Sequence, residues 1–255
     1  MSYVVNNKYK NTSSNKKVKI ISISIISILL LGIVILSSFL YGDYKFKNEV
    51  QSIFINNSYM DNKDVKQTKK IVMNLPDNIL SKLIDNEVKI NINDVYHEDS
   101  IGTFYHSDGF IHVTYKPSDK RSKFIFDRYS TELNTLHEIG HAFDYSFSEN
   151  GHSGDIHSYN YEFNEIYSIE KDNFFNKNTF GIPDKNDDHN HYINYHKKDM
   201  NEYFVESFAY YFASEETNKL LYEKAPKTYR YIEKTISINN EYTFIDYINN
   251  KLESL

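Results

Sequence analysis

Hydrophobic and polar positions divide the chain into stretches of different character. From Ile20 to Gly42 no residue is charged. A helix of that length, at 1.5 Å per residue, reaches roughly 34 Å, slightly more than the ~30 Å apolar core of a bilayer. Residues 43–65 are polar and broken and read as a linker, so the folded body is expected over 66–255. Within it, Leu75-Pro76-Asp77 followed by Ile79, Leu80, Leu83 and Ile84 predicts a capped helix with one apolar face. Val88-Lys89-Ile90-Asn91-Ile92 alternates as a half-buried strand does. Gly102–Tyr105 and Phe110–Tyr115 flank His106-Ser107-Asp108-Gly109, the signature of a hairpin, with Ile111, Val113 and Tyr115 on one face. From Thr131 onward the pattern is mostly helical, with loops expected around Glu149–Asp155 and Thr179–His189. There is no internal repeat. Strands first and helices after predict an α+β fold, a small mixed sheet followed by a helical subdomain.

The flanks of the apolar run orient it. Residues 1–19 form a basic segment with Lys8, Lys10, Lys16, Lys17 and Lys19 and no acid, which predicts that this end stays in the cytoplasm. The run over 20–42 exceeds the ~7–15 apolar residues of a signal peptide. Leu36-Ser37-Ser38 and Leu40-Tyr41-Gly42 also make poor cleavage sites. A transmembrane signal anchor is the preferred reading and a cleaved signal peptide the other. The body would then lie on the extracellular face of the membrane, or be secreted. A buried core helix would need a polar face, which this run lacks.

Composition narrows the chemistry. The length of 255 residues allows one or two domains, and 40% hydrophobic residues suffice for a core. With no Cys, disulfides, thiolate metal sites and a Cys nucleophile are excluded. Setting aside the five lysines of the N-terminal segment leaves 24 of the 29 bases against all 35 acids, a net of −11. So acidic a body is a poor match for phosphate backbones, and nucleic acid is not expected as a partner. Oligomeric state is left open.

The candidate chemistry sits in His137-Glu138-Ile139-Gly140-His141. Two histidines four apart on a helix lie one turn apart on the same face and can bind one ion. Glu138 is then placed to act as general base on a metal-bound water. Leu133, Leu136, Ile139, Gly140 and Phe143 give the helix an apolar side. A catalytic zinc site needs a third protein ligand and an open position. A histidine six residues after His141 would supply it in the metzincin pattern, but that residue is Phe147. The gluzincin alternative is a glutamate on a later helix. Glu202 and Glu206 lie at i and i+4 in an otherwise apolar and aromatic run, Asn201–Phe212. Two carboxylates on a core-facing helix are costly unless charge compensates them, and a metal with its histidines does so. Glu202 is therefore expected as the third ligand. Glu206 is expected to orient a histidine by accepting its other ring N–H. The predicted site thus rests on two helices and holds one Zn²⁺. Tyr195, seven residues before Glu202, could donate to an oxyanion.

His137–Asp144, read as HEIGHAFD, with Tyr195, Glu202 and Glu206 at these spacings, resembles the catalytic domain of the anthrax lethal factor family. That family includes the smaller secreted Pro-Pro endopeptidases of Gram-positive bacteria. The resemblance spans roughly Leu75 to Ile236 and includes the hairpin before the motif. It implies a toxin-like zinc metalloendopeptidase with His137, His141 and Glu202 on the metal. Glu138 would be the general base, Tyr195 would assist the transition state, and Glu206 would support a histidine. It further implies an extended peptide or protein substrate, cleaved near proline. On this reading the substrate is expected to add to the Phe110–Tyr115 strand. Two features depart from the family: the membrane anchor and a His- and Asp-rich stretch from Asp184 to His196. That stretch reads as a solvated loop near the cleft or as a second metal site. His152 and His157 are expected to do no chemistry. His97, His106 and His112 fall in the strand region, and His112 lines the cleft if its strand borders it. The alternative function is a non-catalytic, membrane-anchored binding protein on the same fold. Such a protein would be expected to have lost Glu138 or a ligand, and none is missing.

Overall fold

The computed structural model describes residues 11–93, 102–115, 130–146, 157–180 and 187–238, with side chains described at these positions except 11–27, 39 and 187–190. The chain divides into two units, Met1–Asn48 and Glu49–Leu255. Helix α1 (Asn11–Ser52) starts in the first. Its apolar side chains from Ile28 to Leu36, with Leu40, stand exposed. Among the described residues, Ile28–Ser52 is the only helical stretch long and apolar enough to cross a membrane. Of the expected basic segment at 1–19, residues 1–10 lie outside the described residues and the rest opens α1.

The second unit starts earlier than its composition suggests. The stretch over 43–65 is largely structured rather than a linker: α1 continues to Ser52, and α2 (Lys63–Val72) starts inside it under an Asn62 cap. Val50, Ile53, Phe54 and Val65 are buried while their polar neighbours face water. A few inward apolar residues among many polar ones leave no run for a sequence window to detect. Ile53 and Ile55 pair with Ile90 through main-chain hydrogen bonds of 2.7 and 2.9 Å. Next comes α3 (Asp77–Asp85), where Pro76 occupies the cap position without a side-chain bond.

Strands β1 (Lys89–Asn93), β2 (Gly102–Tyr105) and β3 (Phe110–Thr114) form a three-stranded sheet in the order β1-β3-β2. β1 runs parallel to β3 and β2 antiparallel to it, so the sheet is mixed, as expected. Ile90, Ile92, Ile111 and Val113 alternate onto one buried face. Because β3 is central and paired on both sides, the expected addition of substrate to it is excluded. β2 is the edge.

The helical subdomain comprises α4 (Thr131–Tyr145), a 3-10 turn at His157–Tyr159, α5 (Tyr161–Phe174), α6 (Lys177–Phe180), α7 (Asp187–Lys198), α8 (Met200–Ala213), α9 (Glu215–Lys224) and α10 (Pro226–Ile238). The structure bears on one of the two expected loops. The one at Glu149–Asp155 lies outside the described residues. The one at Thr179–His189 is helical at both ends. Ser130 caps α4, its Oγ accepting from Leu133 N–H at 3.2 Å, and Asp199 caps α8 by accepting from Asn201 N–H at 2.8 Å. The buried Glu170 carboxylate accepts from the N–H groups of Lys227 and Thr228 at the start of α10, at 3.0 and 2.8 Å. It thereby ties α5 to α10 and satisfies amides that a helix start leaves unpaired.

Helix α8 is apolar nearly all round, with Tyr203, Phe204, Val205, Phe208, Ala209 and Tyr210 buried, as befits a central helix. Its contact with α4 is unusually close. A methyl group added at Gly140 would meet Val205 Cβ at 3.0 Å, Val205 Cα at 3.2 Å and Phe208 Cδ1 at 3.3 Å. Part of that barrier is backbone, which cannot rotate away. Gly140→Ala should therefore destabilise the protein by about 1–3 kcal/mol through overpacking, partly offset by the ~1 kcal/mol helix preference of Ala. Denaturant unfolding would show this as a lowered midpoint. An unchanged or raised midpoint would mean that the crossing tolerates a side chain.

Candidate active site

Helix α4 carries His137, Glu138, His141 and Asp144 to a cleft of about 360 Å³ bounded on the other side by β2. Helix α8 brings Glu202 and Glu206 to the same histidines. His137 Nε2 lies 3.3 Å from Glu202 Oε2, and His141 Nε2 lies 3.6 Å from Glu202 Oε1. One donor atom from each of His137, His141 and Glu202 falls within 4.8 Å of the others. On the far side of His137, Nδ1 pairs with Glu206 Oε2 at 2.7 Å. The buried Tyr192 hydroxyl donates to the other Glu206 oxygen. A ring nitrogen that donates to a carboxylate leaves the opposite nitrogen free to bind an ion.

Glu138 is buried beside its histidine. The Phe104 main chain acts on its carboxylate to lower the pKa, against the larger effect of burial. A methyl group at Gly102 would fall 2.6 Å from Glu138 Oε1, so strand β2 lies directly against it. Tyr195 is 48% exposed on α7 and lines the same cleft. All six residues expected from the sequence are thus brought together.

Burial and charge act on each group differently. Burial opposes protonation of His137, but Glu202, Glu206 and Glu138 around it raise its pKa well above the ordinary value. Burial raises Glu202, yet the three neighbouring imidazoles outweigh it and hold the pKa near 2. Glu206 is likewise lowered against the pull of its burial, by His196 and His137. Burial pushes Glu138 up to about 7, and a cation at the histidines would draw it down again. Burial, then the Glu202 carboxylate, raises Tyr195, which keeps its hydroxyl protonated.

Residues 113–235 match the family described as anthrax toxin lethal factor, N- and C-terminal domain. The site region is lethal factor-like. The chain is also similar in structure to the Pro-Pro endopeptidase from Paenibacillus alvei, at a TM-score of 0.51 and 19% identity, over 73% of this chain and 99% of that one. At that identity the likeness is one of fold. No curated protein matches.

The lethal factor-like site also contains residues that the sequence did not single out for it. The stretch from Asp184 to His196 is not a solvated loop in its second half. It enters α7, and His196 is only 6% exposed, with its ring 5.4 Å from that of His137. His137, His196 and Glu206 form a second group close enough to hold an ion. It shares His137 with the first, and Glu206 already pairs with His137 Nδ1. Helical spacing could have found His196, because it follows Tyr195 directly and sits one turn from the buried Tyr192. His106, at the hairpin turn, borders the cleft, whereas His112 does not. Tyr159 lines it from the 3-10 turn and Asn201 from the start of α8. His97 and His152 lie outside the described residues.

The donor set fits zinc: two imidazole nitrogens and a carboxylate, with the cleft on the open side. Glu202 Oε2 is buried without a hydrogen-bond partner, as an atom awaiting a cation would be. His137→Ala and Glu202→Ala should each strip zinc from the purified protein. Glu206→Gln should weaken its affinity by about 10–100-fold. Metal content and chelator competition measure both effects, and equally tight, stoichiometric zinc in all three variants would refute the ligand assignment.

Proposed function

We propose that the protein is a zinc-dependent endopeptidase of the gluzincin type. The observation that supports this most directly is the meeting of His137, His141 and Glu202 within 4.8 Å, with Glu138 beside them at the floor of an open cleft. Zinc held there would supply Lewis acidity, polarising a peptide carbonyl and lowering the pKa of a water molecule.

The chain's own groups supply the remaining chemistry. Glu138 takes a proton from the attacking water as its oxygen bonds to the scissile carbon. It then delivers that proton to the amine nitrogen as the C–N bond breaks. The close approach of Gly102 confines the Glu138 carboxylate. The protonated Tyr195 hydroxyl donates to the carbonyl oxygen as negative charge develops on it.

Substrate binds extended along β2, the sheet edge next to Glu138, through main-chain hydrogen bonds. Phe104, Tyr145 and Tyr159 give the cleft aromatic walls suited to proline and other apolar side chains. The likeness to a Pro-Pro endopeptidase supports cleavage near proline. The apolar helix at Ile28–Ser52 supports anchorage with the body outside the cell.

Glu138→Ala should keep the metal and lose turnover by about 10²–10⁴-fold. Tyr195→Phe should lower kcat by about 10²–10³-fold with little change in KM, because the bond strengthens only as charge develops. Steady-state kinetics on a peptide from a diverse library, with metal content measured alongside, tests both. An unchanged kcat for Tyr195→Phe would make that tyrosine structural. Undiminished cleavage by Glu138→Ala would remove the general base and the proposed mechanism with it.

For the anchor, membrane fractionation with N-terminal sequencing should find the intact chain in the membrane. A mature chain starting near Asp43 in the medium would establish secretion by cleavage instead.

A further inference from the structure

The second unit has three glycines among its described residues, and a different constraint acts on each. Gly109 takes a left-handed backbone, with φ at 71°, in the hairpin turn. Gly140 faces the main chain of Val205 and the ring of Phe208. Gly102 shares neither constraint. It opens β2 in extended backbone, which any residue can adopt. The three atoms nearest to a Cβ placed there all belong to one side chain: Glu138 Oε1 at 2.6 Å, Cγ at 2.9 Å and Cδ at 3.1 Å.

What yields to a side chain at each position decides its consequence. At Gly140 the obstacle is partly main chain, so the cost falls on the packing of α4 against α8. At Gly102 the obstacle is the end of a flexible side chain. β2 is paired with β3 from Gly102 to Tyr105, so the carboxylate is the softer of the two partners. Glu138 is buried, and it lines the cleft together with Gly102. The space open to a displaced carboxylate is therefore the cleft itself. Restoring ordinary contact from 2.6 Å requires Oε1 to withdraw by roughly 1 Å. A general base must stay within hydrogen-bond reach of the proton it takes. Misplacement by ~1 Å costs such a group about 10²-fold in rate.

We propose that Gly102 is a positioning residue for the general base: its missing side chain gives the Glu138 carboxylate a seat against β2, so that glycine is required there by the chemistry and not by the fold. This rests on the endopeptidase reading above. The two close glycines thereby divide the work. Gly140 lets the helices that carry the metal ligands approach, and Gly102 lets the sheet edge approach the base. A substrate laid along β2 is then registered against the one point at which that strand meets Glu138.

The test compares full-length wild type with Gly102→Ala, Glu138→Ala and the double variant, on a peptide that wild type cleaves. Gly102→Ala should lower kcat about 10²-fold with KM little changed. Its zinc affinity by chelator competition and its unfolding midpoint in denaturant should match wild type. Crystal structures of wild type and Gly102→Ala should show the Glu138 carboxylate displaced by roughly 1 Å with β2 in place. In the Glu138→Ala background the same substitution should leave the residual turnover unchanged, because the atoms it would strike are gone. A role confined to folding or substrate binding would cost as much in either background. Four results would overturn the proposal: an unchanged kcat in Gly102→Ala, an equal loss in both backgrounds, a carboxylate that stays while β2 moves, or failure of Gly102→Ala to fold. If wild type cleaves no peptide, the endopeptidase reading fails, and the two crystal structures alone judge the hold of Gly102 on the carboxylate.

Discussion

The crossing of α4 and α8 at Gly140 is the constraint on which the rest of the site depends. At that point the two backbones approach so closely that an added Cβ would press on Val205 and Phe208 at 3.0–3.3 Å. His137 and His141, one turn apart on α4, then face Glu202 and Glu206, one turn apart on α8. His137 reaches both Glu202 and Glu206, and His141 reaches Glu202. A wider crossing would keep each helix intact and still separate the imidazoles from the carboxylates. The close contact is secured by a belt of aromatic side chains around α8, including Phe143 stacked on Phe208 and Phe174 edge-on to Tyr210.

Such a crossing buries charge, and burial alone would neutralise it. Glu206 escapes because His137, His196 and Tyr192 surround it, and Glu202 because three imidazoles face it. At Glu138 burial outweighs the opposing charge of His137 and pushes the carboxylate up to about 7. Neighbouring carboxylates thus come to differ in role through their surroundings, not their chemistry. Glu202 stays ionised, while Glu138 is poised to exchange a proton near neutrality.

The sheet contributes position more than stability. With β3 central, β2 presents an edge to the cleft, and its main chain touches Glu138. The strand that would receive an extended peptide is therefore the strand that holds the base. The similarity in fold to a Pro-Pro endopeptidase extends across nearly the whole of that smaller protein, although fewer than one residue in five is identical. The likeness is thus one of fold.

The helical spacing of His137 and His141, the paired glutamates on an apolar helix and the alternation in β1 and β3 were all legible in the sequence, because each is a local periodicity. The same reading anticipated the mixed sheet and the helical subdomain, and the six residues it singled out lie together in the fold. It failed where burial comes from distant partners. The polar stretch at 43–65 looked like a linker because its few inward residues, Val50, Ile53 and Phe54, are recognisable only once Ile90 lies beside them. The centre and edge of the sheet could not be told apart, since strand order is set by long-range pairing, and this is why β3 was taken for the substrate strand. His196 looked solvated among Asp and His neighbours until α7 turned it into the aromatic cluster behind His137. Asn201 carried no signal at all, because its amide nitrogen meets the Asp144 carboxylate and the Ser158 hydroxyl only in the tertiary structure.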